Sequence, residues 1–354
     1  MRWRLRWWLL VGLVTVSFAE LALAERTQAA ISRVRFSQRH RSAVASRHRM
    51  PLPPAREFLT LPRVDGLPQA PAALGLNAAS AILMDGNTGA VLFERDPDAQ
   101  RPPASVTKIL SALLVLESGR LSDTVTVSRT AAETGGFRLG LRVGQKISLG
   151  DLLAAILIRS ANDAAVAAAE HVGGSLGGFV DLMNAKAREI GMVNSHFANP
   201  HGLDQPFHYT TARDMAILTR VAMDHPTFAQ LVRTRETRVT IWRPGRRTPV
   251  PQVRVVMSHN RLLGRVEGAD GVKTGYTDSA GRCLVASASR GNQRMIAVLL
   301  NDPHRWTDAA ALLEYGFGSV RESVRAWPDN RPWDSSHADG WLRLEARTSA
   351  EERP

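Results

Sequence analysis

PASVTKIL, residues 103–110, puts a serine, a threonine and one of the chain's four lysines into a single short apolar segment. The apolar residues Ile109, Leu110, Leu113, Leu114 and Leu116 recur at helical spacing, so a helix is expected from Ser105 to Glu117. Pro102 and Pro103 stand just ahead, where prolines suit a helix start. Ser105 and Lys108 are three apart and share a face. The pair alone is ambiguous. A serine before an apolar helix is a good cap, and an ordinary lysine, with a pKa of about 10.4, is a poor base at neutral pH.

Two partners downstream resolve the ambiguity. Ser160-Ala161-Asn162 lies in LIRSANDAAV, and Lys273-Thr274-Gly275 lies in DGVKTGYTDS. Each short motif is weak or moderate by itself; in this order, each on a plausible element, they form a set. Burial and a neighbouring cation both lower an amine's pKa. Lys273 is that cation if the sheet brings it near, and Lys108 is then a base for the proton of Ser105. The start of a helix offers N–H groups and a positive dipole end to a developing oxyanion. The N–H groups of Ser105 and Tyr276 are the natural pair. Gly275 lets a substrate approach the edge strand closely.

The surrounding pattern supplies a scaffold. SAILMD and AVLFER flank Gly86–Gly89 as a hairpin. Residues 149–190 are Ala-rich and helical, with a Gly-rich break, and TARDMAILTRVAM is another helix. RVTIWRP and QVRVVMS are strands around a Pro-Gly turn. GVKTGY, CLVASAS and RMIAVLLN are three strands, and WTDAAALLEYGF is a closing helix. Strands, helices, strands, then a helix indicate an α+β fold: an antiparallel sheet made from both ends of the chain, with helices inserted between.

The ordered trio resembles the penicillin-binding protein and serine β-lactamase superfamily. More narrowly, PASVTKIL, LIRSANDAAV, FANPHGLD, HYTTARDMAIL, DGVKTGYTDSAGRCLVAS and LLEYGF resemble the low-molecular-weight D-alanyl-D-alanine carboxypeptidases over roughly residues 78–320. The resemblance implies an antiparallel five-stranded sheet flanked by helices with an inserted all-helical subdomain. It also implies an acyl-enzyme mechanism on peptidoglycan stem peptides and acylation by β-lactams. Carried over, Ser105 is the nucleophile, Lys108 its base and Ser160 a proton relay. Asn162 holds the substrate amide, and Lys273 and Thr274, with Arg305, hold its terminal carboxylate. Endopeptidase action on cross-links, β-lactamase-like hydrolysis and a non-catalytic wall-binding module are the alternatives. SHFANPHGLD offers no E-x-x-x-N, so slow deacylation and stable penicillin labelling are expected. His259 stands where some relatives carry an arginine.

Composition bounds the rest. The 354 residues, 44% hydrophobic and 22% charged, suit a folded protein with a real core. The net charge of +12 comes mainly from arginine, with eight between Arg26 and Arg56, and no nucleic-acid motif accompanies it, so no nucleic-acid partner is expected. Three arginines, an apolar run from Trp7 to Ala19 and Ala22-Leu23-Ala24 have the layout of a secretory signal over 1–24; the alternative is an uncleaved anchor, since Glu20 makes the cleavage region imperfect. The chain is expected to be exported. Residues 25–76 read as a basic, flexible Pro/Arg-rich linker suited to weak association with an anionic membrane or wall polymer. The catalytic domain is expected at 77–320 and a loosely ordered polar tail at 321–354. The single cysteine, Cys283, forms no internal disulfide and reads as a buried strand residue. His201 and His208 lack metal-ligand spacing and belong with Asp204 to local structure around PHGLD. No metal or cofactor is expected.

Overall fold

A computed structural model describes residues 74–245 and 248–318. The expected signal, the linker up to residue 73 and the 321–354 tail lie outside the described residues.

The Gly86–Gly89 hairpin forms between β1 (Ser80–Asp85) and β2 (Val91–Arg95). Asp85 shapes its turn: Oδ1 accepts from the N–H of Asn87 (2.9 Å) and of Thr88 (2.8 Å). The other edge of β1 pairs with β9 (Gln293–Leu300), followed by β8 (Gly281–Arg290) and β7 (Ala269–Thr277). The sheet is antiparallel throughout, in the order β2-β1-β9-β8-β7, and is closed by strands distant in sequence, with Ala81 opposite Leu299.

Strand side chains alternate between faces, and both faces are buried. Ile82, Met84, Val285 and Val298 join one apolar cluster with the inserted helices; Ala81, Leu83, Leu284 and Leu299 join another with Leu312 and Leu313 of the closing helix. Burial on two sides is why these strands read as nearly continuous apolar runs.

The inserted helices are α1 (Lys108–Glu117), α2 (Arg129–Glu133), α3 (Leu149–Ala154), α4 (Asn162–Gly173), α5 (Leu176–Glu189), α6 (Ala212–Met223) and α7 (Pro226–Val232); α8 (Arg305–Gly316) closes the fold. Ser128, Ser148, Ser175 and Thr211 cap four of them by accepting backbone N–H bonds. A second antiparallel sheet, β3 (Thr124–Thr126), β4 (Lys146–Ser148), β5 (Glu236–Arg243) and β6 (Val250–Met257), lies among the helices. Its first two strands have three residues each, too few to show an alternation in sequence.

Two local outcomes differ from the sequence reading. Ala104–Thr107 forms one turn of 3₁₀ helix, the α-helix starts only at Lys108, and Ser105 caps nothing. The Ala-rich stretch beginning at Leu149 is also interrupted. It widens into a π-turn at Ala155–Arg159, breaks at Ser160 in the left-handed region (φ 64°, ψ 30°), and restarts at Asn162. Periodicity reports which residues are apolar, and the apolar residues continue through the break.

Candidate active site

The 3₁₀ turn brings Ser105 and Lys108 together, because residues three apart eclipse in that geometry. Lys108 Nζ lies 2.9 Å from Ser105 Oγ. The turn is held from several sides. Thr107 Oγ1 donates to the Ala104 carbonyl at 2.8 Å and therefore accepts from His208 Nε2 at 3.0 Å. His208 Nδ1 accepts from the Ala198 N–H at 2.9 Å, which fixes a neutral ring protonated on Nε2. Burial pushes the His208 pKa down to about 4. Ala104 itself sits at φ 49°, and Gly202, at φ 89°, packs so closely that a Cβ there would lie 1.9 Å from the Ala104 carbonyl oxygen. Only glycine fits that point of the FANPHGLD loop.

Strand β7 forms the opposite wall. A Cβ on Gly275 would lie 3.0 Å from Ala104 Cβ, 3.1 Å from the Ser105 nitrogen and 3.2 Å from the Pro103 carbonyl oxygen. The close approach that Gly275 permits in this structure is to the nucleophile's own turn. Lys273 is buried on the same strand and donates to the Thr274 carbonyl at 3.0 Å; Thr274 is half-buried. The Tyr276 side chain is exposed and donates to Asp278.

Lys108 is fully buried and touches three oxygens: Ser105 Oγ, Asn162 Oδ1 at 2.6 Å and the His201 carbonyl at 2.6 Å. The Asn162 amide is oriented by Nδ2, which donates to the Gly135 carbonyl at 2.8 Å. Asn162 Oδ1 and the His201 carbonyl only accept. A neutral amine has two hydrogens for those two acceptors and one lone pair, which is left for the Ser105 hydroxyl. Burial first, and the Lys273 charge second, hold the Lys108 pKa well below its ordinary value, while Asp163 opposes them. Neutral Lys108 therefore fits the contacts and the electrostatics together.

Ser160 stands at the helix break, two residues before Asn162. Its Oγ is buried without a hydrogen-bond partner, a polar group held ready at some cost. Burial, and then Arg305, depress Lys273 to about 7. Arg305 is buried behind β7, where Nη1 donates to the carbonyls of Gly275 (2.7 Å) and Cys283 (3.1 Å). The structure thus gathers Ser105, Lys108, Asn162, Lys273 and Gly275, with Ser160 two residues before Asn162 and Thr274 beside Lys273 in the chain, and sets Arg305 against the strand backbone. Cys283 is buried, and burial raises its pKa to about 11. Among the described residues, no group of three or more His, Cys, Asp or Glu is placed to hold a metal ion.

Sequence reasoning missed the supports. Asp163, given no role from the sequence, is buried and accepts from the N–H groups of Leu139, Gly140 and Leu141 at 2.8–2.9 Å. Asn199 shapes the PHGLD turn: Oδ1 accepts from the Gly202 N–H (2.7 Å), and Nδ2 donates to the Leu203 carbonyl (2.9 Å). Asp204 is tied to Thr277 at the end of β7 by a 2.7 Å bond, the structural role expected of it. The adjacency of Asp163 to the S-x-N motif was the available signal.

Residues 68–304 match the D-alanyl-D-alanine carboxypeptidase family of serine peptidases. The chain is 36% identical to the D-alanyl-D-alanine carboxypeptidase DacF of Bacillus subtilis over 252 residues, which are 69% of this chain and 63% of the relative. It is 36% identical to the D-alanyl-D-alanine carboxypeptidase DacC of Escherichia coli over 290 residues, 77% of this chain and 69% of the relative. The aligned part therefore spans less than two thirds of the Bacillus protein. Among solved structures, the Streptomyces K15 DD-transpeptidase superposes with a TM-score of 0.65 at 29% identity, covering 69% of this chain and 98% of that one. The carboxypeptidase DacD of Francisella tularensis superposes with a TM-score of 0.62 at 32% identity, covering 68% and 70%.

Proposed function

Because the chain belongs to the D-alanyl-D-alanine carboxypeptidase family, we propose that it removes the terminal D-alanine from peptidoglycan stem peptides through an acyl-enzyme on Ser105. The observation that carries this reading is the 2.9 Å contact between Ser105 Oγ and an amine whose other two contacts are pure acceptors. Lys108 takes the proton as Oγ attacks the penultimate carbonyl. The N–H groups of Ser105 and Tyr276 receive the oxyanion. Ser160 passes the proton to the departing amine as the peptide bond breaks, and water then hydrolyses the ester. Cationic Lys273, with Thr274, holds the leaving residue's carboxylate. Arg305 serves as a positioning residue, bonding the β7 carbonyl at Gly275 and pressing down the pKa of Lys273.

Penicillins enter the same acylation step. The FANPHGLD loop offers Lys108 a backbone carbonyl, and its one carboxylate, Asp204, is bonded to Thr277. No carboxylate base for deacylating water stands there, so the adduct is long-lived. Export to the wall-facing side, supported by the arginine-led apolar run at the N-terminus, brings the site to this substrate.

The test is mass spectrometry after penicillin exposure, with D-alanine release from a D-Ala-D-Ala peptide measured alongside. One penicillin on the Ser105 peptide, and loss of both readouts in Ser105→Ala, are expected. Undiminished D-alanine release by Ser105→Ala would overturn the reading.

A further inference from the structure

Beside the catalytic loop lies an open cleft of about 490 Å³ that the acylation machinery does not use. Three arginines line it: Arg138 and Arg142 from the loop before β4, and Arg254 from β6. The remaining lining is apolar or glycine, with no acidic side chain among the described residues. Arg254 is half-buried and donates to the Leu139 carbonyl. Arg138 is exposed and makes only a long bond, 3.4 Å, to the Ala132 carbonyl. Arg142 is exposed, and its guanidinium has no partner among the described residues. Three like charges around one concavity repel one another and focus a positive potential into it. Guanidinium groups match carboxylates in a two-point fork.

The cleft shares its loop with the site. Gly135 and Phe137 carbonyls receive the Asn162 Nδ2 and backbone N–H, and the Leu139, Gly140 and Leu141 N–H groups hold Asp163. Arg159, next to Ser160, donates to the Arg138 carbonyl. Residues 135–141 thus join the cleft to the side chains around the nucleophile, and an extended peptide crossing them would advance about 3.3 Å per residue.

We propose that the Arg138–Arg142–Arg254 cleft is an anion subsite that binds the carboxylates a stem peptide carries upstream of its D-Ala-D-Ala end. The proposal rests on the carboxypeptidase reading and assigns that site a preference for acidic over amidated stems.

Two synthetic donors test it, both ending in D-Ala-D-Ala, one with free upstream carboxylates and one with those groups amidated. The full chain should favour the acidic donor about tenfold in kcat/KM at low salt, with the ratio shrinking at about 0.5 M salt. The ratio should fall towards one in an Arg138→Ala/Arg142→Ala double variant and persist in Arg129→Ala, which lies outside the cleft. A wild-type ratio near one, or a ratio that survives the double variant, overturns the subsite. Calorimetry with an acidic stem tripeptide lacking D-alanine gives a readout independent of turnover. If neither donor is cleaved but the tripeptide binds in an arginine-dependent way, the carboxypeptidase reading fails and the subsite stands. Tighter arginine-dependent binding of a polyglycerol phosphate than of the tripeptide overturns the assignment to stem peptides.

Discussion

Gly275→Ala isolates the geometry of the nucleophile from its chemistry. The backbone at Gly275 is not in the left-handed region, so alanine meets no conformational penalty there. Its methyl would stand 3.0 Å from Ala104 Cβ, 3.1 Å from the Ser105 nitrogen and 3.2 Å from the Pro103 carbonyl oxygen. Ordinary contact begins at about 3.4 Å, so the turn or the strand must recede by a few tenths of an ångström. The turn has little freedom to do so, because Gly202 packs on Ala104 from the other side and Thr107 is bonded to His208. Overpacking of this kind costs about 1–3 kcal/mol, against about 0.4–1 kcal/mol gained from a stiffer unfolded chain. The net loss is therefore about 1 kcal/mol, which leaves the fold intact. Ser105 and its N–H both shift, and displacement of a reacting group by up to about 1 Å costs up to about a hundredfold in rate. The expected result is a ten- to hundredfold slower second-order acylation by a fluorescent penicillin, measured by stopped flow, with a urea midpoint only slightly lowered. Acylation within twofold of wild type would refute the claim that Gly275 sets the position of Ser105.

Ser160→Gly should uncouple stability from activity. Relief of a non-glycine residue at φ 64° raises stability by up to about 1 kcal/mol in urea titration, while loss of the hydroxyl slows D-alanine release about a hundredfold. The pH profile of kcat/KM should be bell-shaped: the acid limb reports Lys108 losing its proton, and the alkaline limb reports Lys273 losing its own at about 7. Lys273→Arg keeps the charge through this range, so the alkaline limb at about 7 should disappear while the acid limb remains. For His208 the folded-state pKa, about 4, lies below the ordinary 6.5, so its contribution is present above 6.5 and lost as pH falls towards 4. His208→Gln should therefore reduce the loss of stability between pH 6.5 and 4.5 by about 2 kcal/mol, measured by denaturant midpoints at each pH.

The sequence by itself determined the five strands of the main sheet, the longer helices and the three catalytic motifs, because those depend on signals carried by neighbouring residues. The apolar runs of β8 and β9 and the one-turn spacing of Ser105 and Lys108 are of this kind. Only the tertiary structure decided that Ser105 lies in a 3₁₀ turn, that the helix after Leu149 breaks at Ser160, and that Gly275 makes room for the turn. Each of these depends on groups remote in the chain. Gly202 and His208 hold the turn, the Phe137 carbonyl receives the N–H of Asn162 where the helix restarts, and Gly135 orients its side chain. Asp163 was illegible for the same reason: a carboxylate in a helix's first turn looks solvated until the loop whose N–H groups it gathers has folded onto it. The low pKa of Lys108 belongs with these features, since burial and a cation 165 residues away create it. Local chemistry chose the parts, and long-range packing set the distances and the dielectric in which they act.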